Sequence, residues 1–276
     1  MRRPIFLLLV VLLFCSHDLF LKMEDYFLPP NHEASMSLFN GTFEKSENII
    51  TRDRMLDASY IISGKRVTID PEQWVDQDST ITQLPFKTGA SGTYVVGVST
   101  KPRNIELTAE KFNNYLEHDG VLDMLEQRAK DSVLDQDAVE SYEKHVKAIY
   151  QVGNLKTKDW STPMGYPIEF VPQANPYEKY SGDQLEVQLL LAGEPISNQL
   201  VYANHTHSGH DHDHDHGDHD HDHKDGNRSH GHSHEDDGHN HSHENDGEET
   251  HTHTGGQQLR TNSQGMVVVD LSEDGV

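Results

Sequence analysis

Cysteine is almost missing from this sequence: Cys15 is the only one in 276 residues. A disulfide framework and a thiolate metal site each need several, so both are excluded. Basic residues are also scarce, 22 lysines and arginines against 46 aspartates and glutamates, for a formal net charge of −24. A surface of that sign repels phosphate backbones and anionic headgroups, which argues against nucleic acid and anionic membranes as partners. Long apolar runs are rare too. The run from Ile5 to Phe14 is about half of the roughly 20 residues that a permanent membrane-spanning helix needs, and no later segment comes near it, so no transmembrane segment is expected in the mature chain. Signatures of catalysis are absent as well. The sequence has no Gly-x-Ser-x-Gly elbow, no phosphate loop, no His-Glu-x-x-His pair and no cysteine nucleophile, so no enzymatic activity and no catalytic residue is expected.

What is present begins with Met1-Arg2-Arg3-Pro4 running into the apolar stretch, the pattern of a signal peptide covering residues 1–16. The expected location is the periplasm or outside the cell. Cleavage after Ser16 would make His17 the first residue, although Phe14 is bulky for its place three residues before that cut. Lipid attachment at Cys15 and an uncleaved signal anchor are the alternatives. An amino-terminal His17 could chelate a metal ion through its α-amine and ring nitrogen together.

From His17 to Leu107 short apolar or alternating runs are separated by turn residues: Ala34 to Phe39, Ala58 to Ile62 before Ser63-Gly64, Val67 to Ile69, Thr80 to Phe86, and Thr93 to Val98. This spacing predicts strands of a β-sandwich domain over 17–107. The period then changes. Thr108 can cap a helix carrying Phe112, Tyr115 and Leu116, Val121, Leu122 and Leu125 suggest a second, and Val139, Tyr142, Val146 and Ile149 a third that stops at Gly153. A helical insertion is therefore expected over 108–153, with His118 and His145 as helical histidines of structural significance only. Strand patterns return from 154 to 276, at Pro167 to Val171, Gln184 to Leu191, Leu200 to Ala203, Gln258 to Thr261 and Met266 to Leu271, and imply a second β-domain. The sequence stops just past a turn with no closing strand, so a longer natural chain is expected.

The segment 204–256 differs from everything around it. It holds 17 of the 21 histidines: His205, His207, His210, His212, His214, His216, His219, His221, His223, His230, His232, His234, His239, His241, His243, His251 and His253. Between them stand 14 aspartates and glutamates against Lys224 and Arg228. With no apolar side chain to offset ordering entropy, such a segment is expected to be disordered when free of metal. Neutral imidazole suits Ni, Co, Zn and Cu ions, and carboxylates add oxygen donors and compensating charge. Several modest, exchangeable sites are therefore expected on these histidines and on His17. The affinity order of divalent ions would favour copper, so supply and not geometry would choose the metal. The flanking runs Leu200 to Ala203 and Gln258 to Thr261 read as the two strands of one hairpin. Its long loop costs little, because closure entropy rises only logarithmically with length.

Three stretches resemble a known family: Ser99 to Leu116, Tyr142 to Gly153, and Gly165-Tyr166-Pro167-Ile168-Glu169-Phe170-Val171-Pro172-Gln173-Ala174-Asn175-Pro176-Tyr177, together with His17-Asp18-Leu19-Phe20-Leu21. They are similar to the bacterial domain of unknown function 4198 family, exported proteins associated with nickel uptake. The resemblance implies a mostly β fold of two immunoglobulin-like or prealbumin-like sandwich domains, and a role in nickel or cobalt handling. Gly193-Glu194-Pro195 and Asn262-Ser263-Gln264-Gly265, each before a strand, also resemble carboxypeptidase-regulatory-like domains. The expectation is an extracytoplasmic protein that captures, buffers or delivers Ni, Co or Zn for an uptake system, with a metal permease or outer-membrane receptor as its partner. The rival is an envelope module that binds a protein or glycan, with the histidine-rich loop as a spacer.

Overall fold

The computed structural model describes residues 18–118, 120–205 and 256–271. The fold is mostly β. In chain order it begins with β1 (Asp18–Lys22), β2 (Phe27–Leu28), β3 (Glu33–Gly41), β4 (Met55–Ile62), β5 (Lys65–Thr68), β6 (Val75–Gln77), β7 (Ile81–Lys87), β8 (Gly92–Thr100) and β9 (Arg103–Leu107). Two helices follow, α1 (Ala109–His118) and α2 (Leu122–Lys130), then β10 (Ala138–Tyr142) and β11 (His145–Val152). The chain closes with β12 (Ile168–Pro172), β13 (Gln184–Leu191), β14 (Glu194–Pro195), β15 (Leu200–Ala203), β16 (Gln257–Arg260) and β17 (Met266–Asp270).

The expected third helix is a correction. Residues 138–152 form β10, paired with β9, and β11, paired along its whole length with β8 from His145↔Ser99 to Val152↔Gly92. The 3/4 spacing of Val139, Tyr142, Val146 and Ile149 is a coincidence of two strands read end to end. Val146, Ala148, Tyr150 and Val152 alternate with His145, Lys147, Ile149 and Gln151, a period of two that a strand shows and a helix does not. The first two helices stand where the 3.6-residue period puts them. The α1 helix begins as expected, with the Phe112 amide donating to the Thr108 carbonyl at 2.9 Å.

Two sheets share the main core. One has the order β1-β3-β7-β6 and the other β2-β11-β8-β4-β5. Leu21, Met36, Leu38 and Leu84 from the first meet Ala58, Tyr94, Val96, Val98, Tyr150 and Val152 from the second in one buried cluster. The β4–β5 turn is Ser63-Gly64, with φ of +51° and +70°, the left-handed pair that a two-residue hairpin of this hand requires.

The β8 strand is buried at every residue, so its sheet is covered on both faces. On the second face Ile61, Val95 and Ile149 pack against Met164 and Tyr166. Gly97 allows this approach: a Cβ there would fall 2.4 Å from the Met164 sulfur and 2.7 Å from the Tyr166 hydroxyl. The remaining strands make a separate pair of sheets, β12-β13-β14 with β17 also on β13, and β15-β16. They share a smaller cluster of Leu189, Val201 and Val267.

Candidate functional site

The hairpin inferred from sequence is present. The β15 and β16 strands run antiparallel in the register Leu200↔Arg260, Val201↔Leu259, Tyr202↔Gln258 and Ala203↔Gln257. Paired residues of such a ladder stand only about 5 Å apart, so the chain leaves and re-enters the fold at adjacent points. Gly256 closes the ladder at φ +92°, and a Cβ there would fall 2.3 Å from the Ala203 carbonyl oxygen. Only glycine fits that place. On the other side of the hairpin the turn after α1 packs close, with the Tyr202 hydroxyl 2.9 Å from where a Gly120 Cβ would be.

Of the eighteen histidines expected to bind metal, the described residues include one. His205 is exposed at the end of β15, its amide donating to Asn204 Oδ1 at 3.0 Å. His17 and the run from His207 to His253 lie outside the described residues, as do Cys15 and the rest of the expected signal peptide over 1–16. Among the described residues no three histidine, cysteine, aspartate or glutamate side chains are grouped to hold a metal ion. No helix among them is long and apolar enough to cross a membrane.

Polar chemistry inside the fold is concentrated on the second face of the β8 sheet. The Lys147 ammonium donates to Glu169 Oε2 at 3.1 Å, with side chains 10% and 4% exposed. Glu169 also accepts from the amides of Met164 at 2.9 Å and Gly165 at 2.8 Å, so every charge it carries is met. Desolvation pushes the Lys147 pKa down against the opposing pull of Glu169. Beside this pair, Asp57 accepts from the Tyr166 hydroxyl and from Arg66, both at 2.7 Å. Burial is the main cause that raises the Tyr166 phenol, and the Asp57 contact adds to it.

His145 is not in a helix but opens β11, a correction that changes its surroundings. Its Nδ1 shares a hydrogen bond of 2.9 Å with Ser99 Oγ, and Glu143 Oε1 lies 3.4 Å from Nε2. The side chain is 3% exposed, and Nε2 makes no hydrogen bond. Asp57, Ser99 and His145 stand in one row across β4, β8 and β11. Ser99 is 1% exposed and its hydroxyl is engaged with His145, while Asp57 is held by Ser59, Arg66 and Tyr166.

This polar face forms one end of a cleft of about 370 Å³ that runs under β15. Its opposite walls are apolar, with Phe170 and Ile168 from β12, Leu185 and Val187 from β13, and Leu200 from β15. Sequence reasoning passed over Lys147, Glu169, Tyr166 and Asp57. Their partners are far apart in the chain, and the one available signal was the alternation through Val146-Lys147-Ala148.

No curated protein matches this sequence. The sequence model of the family described as domain of unknown function (DUF4198) matches residues 15–229, which takes in every strand up to β15 and the first half of the histidine-rich segment. The match spans well over half of the 276 residues, and the chain belongs to the DUF4198 family.

Proposed function

We propose that this protein is an extracytoplasmic binder of transition-metal ions that captures, buffers or delivers nickel, cobalt or zinc to an uptake system. One observation carries the reading. Fifty residues, 206–255, stand between the paired ends of a two-stranded hairpin, and 16 of the 21 histidines are among them. The flanking strands pair in full register, so a segment joining them can vary in length and composition without changing that pairing. Histidine two residues from histidine, with aspartate between, lets a short length of chain wrap several imidazoles around one ion. Copper binds the same donors.

Residues 1–16 support export to the periplasm or beyond, and a His17 start supports a further chelate at the amino terminus. The two sheets that share the main core fit an immunoglobulin-like or prealbumin-like sandwich, and the later strands a second. Equilibrium dialysis against Ni²⁺ or Zn²⁺ tests the proposal. The full chain should retain several ions, and a chain in which a short turn replaces residues 206–255 should retain at most the one that His17 could hold. A second reading, an envelope module that binds another polypeptide, is favoured by the open apolar cleft under β15.

A further inference from the structure

The β15–β16 sheet has two strands where the sheet beneath it has four. Val201 of β15 packs on Leu189 of β13 and Val267 of β17, while Gln257 of β16 bonds to the Asp270 backbone at the end of β17. The next strand position beside β15, about 4.8 Å further on, therefore lies over β12. That position is open. Ile168, Phe170 and Leu191 share the face of the core residue Leu189 through the pairs Ile168↔Leu191 and Phe170↔Leu189, yet they are 39%, 44% and 47% exposed. The β15 strand pairs only with β16 among the described residues, so its other edge presents backbone donors and acceptors with no ladder to join. The far wall is β11, where Lys147 gives one of its three N–H donors to Glu169 and Ile149 lies beside it.

We infer that this slot takes up an extended segment of a partner polypeptide, added as a third strand beside β15, with apolar side chains at alternate positions over Ile168 and Phe170. Strand addition fits because it satisfies the open edge and the apolar floor together, which a small apolar molecule would not. The flanks of the segment are basic. The slot runs beside β15, the strand from whose far end the insertion leaves; that insertion carries 14 acidic side chains against Lys224 and Arg228, and lysine or arginine flanking the segment is steered toward it. A second copy of this chain, at −24, is repelled from the same place. The inference stands whether or not the insertion binds metal, and it would bring a partner alongside the strand from which that insertion leaves the fold.

The test uses the full chain and a short synthetic peptide alternating valine and lysine, with a control in which a central valine is proline. Amide hydrogen exchange is read on the unaltered protein. Added peptide should slow exchange in residues 199–203, the proline peptide should not, and Phe170→Asp should weaken binding roughly tenfold or more. Ile168→Asp serves as the second variant, and the melting temperature of each confirms that it folds. Failure of the peptide to protect β15, or equal binding of the proline peptide, overturns strand addition. Self-association of the protein that Phe170→Asp abolishes would show a second copy in the slot and overturn the partner assignment.

Discussion

Lys147 and Glu169 meet at 3.1 Å where the polar face of the β8 sheet joins β12, and both are nearly closed off from solvent. Taking away the acid leaves an ammonium in a desolvated place with no countercharge. Glu169→Ala should therefore cost about 3–5 kcal/mol. The double variant Lys147→Met/Glu169→Gln should recover a good part of that, since glutamine can still accept from the Met164 or Gly165 amide. Urea unfolding of the three proteins measures this, and a loss below about 1 kcal/mol for Glu169→Ala would show that water reaches the pair.

Gly97 sets how closely the connecting segment approaches the sheet. Gly97→Ala puts a methyl group where the Met164 sulfur and the Tyr166 ring now stand. Tyr166 cannot move without releasing Asp57. The expected cost is about 2–3 kcal/mol of overpacking, with quenching or shift of the near-ultraviolet tyrosine signal alongside. Gly64→Ala, which meets nothing within 4 Å, should cost only the roughly 1 kcal/mol of its left-handed φ.

Lys144 gives a pH dependence of known sign. Burial lowers its pKa from 10.5 to about 8, against a raising effect of Asp18 and with a small further lowering from Arg54. Below pH 8 the ammonium is charged in folded and unfolded chains alike, and the burial penalty is present. Between about 8 and 10.5 the folded chain loses the proton that the unfolded chain keeps, so this group makes stability rise with pH. The buried tyrosines work in the opposite sense at the upper end, because their raised pKa values keep them neutral while the unfolded phenols ionise. The difference between the native chain and Lys144→Met isolates the lysine. Lys144→Met should be the more stable near pH 7.5, by a margin that shrinks toward pH 10; a constant margin would contradict the assignment.

Much of the β architecture was legible because its strands obey simple patterns. Gln184 to Leu191 alternates and ends at a turn, and it forms β13 over those same residues. Leu200 to Ala203 and its mate were legible as a hairpin because two short strand-like runs flank a stretch with no apolar side chain. β11 was not. It is covered on both faces, one apolar and one polar, so Val146 and Ile149 could be joined into a false helical stripe while His145, Lys147 and Gln151 looked like its solvent side. The polar junction was hidden for a related reason. Glu169 reads as the outward residue of Ile168-Glu169-Phe170, yet it is the buried one, and Ile168 and Phe170 are the exposed pair. Only the position of the covering layers decides which face of a strand is inside.

The hairpin makes the insertion separable. Joining Ala203 to Gln257 through Asn-Gly in place of 204–256 suits a two-residue turn. It removes the closure entropy of a long loop, worth on the order of 1–3 kcal/mol. The melting temperature should stay level or rise. A fall of several degrees would mean that the insertion packs on the fold.

The central claim is tested most directly by calorimetric titration of Zn²⁺ or Ni²⁺ into the full chain and into this shortened chain, at pH 7.5 and pH 5.5. Imidazole with a pKa near 6.5 must shed its proton to bind. The full chain should take up several ions at the higher pH and far fewer at the lower, with little change in melting temperature, and the shortened chain should lose this uptake. An unchanged stoichiometry after shortening, or a metal-induced rise in melting temperature that survives it, would contradict the account and place the metal elsewhere in the fold.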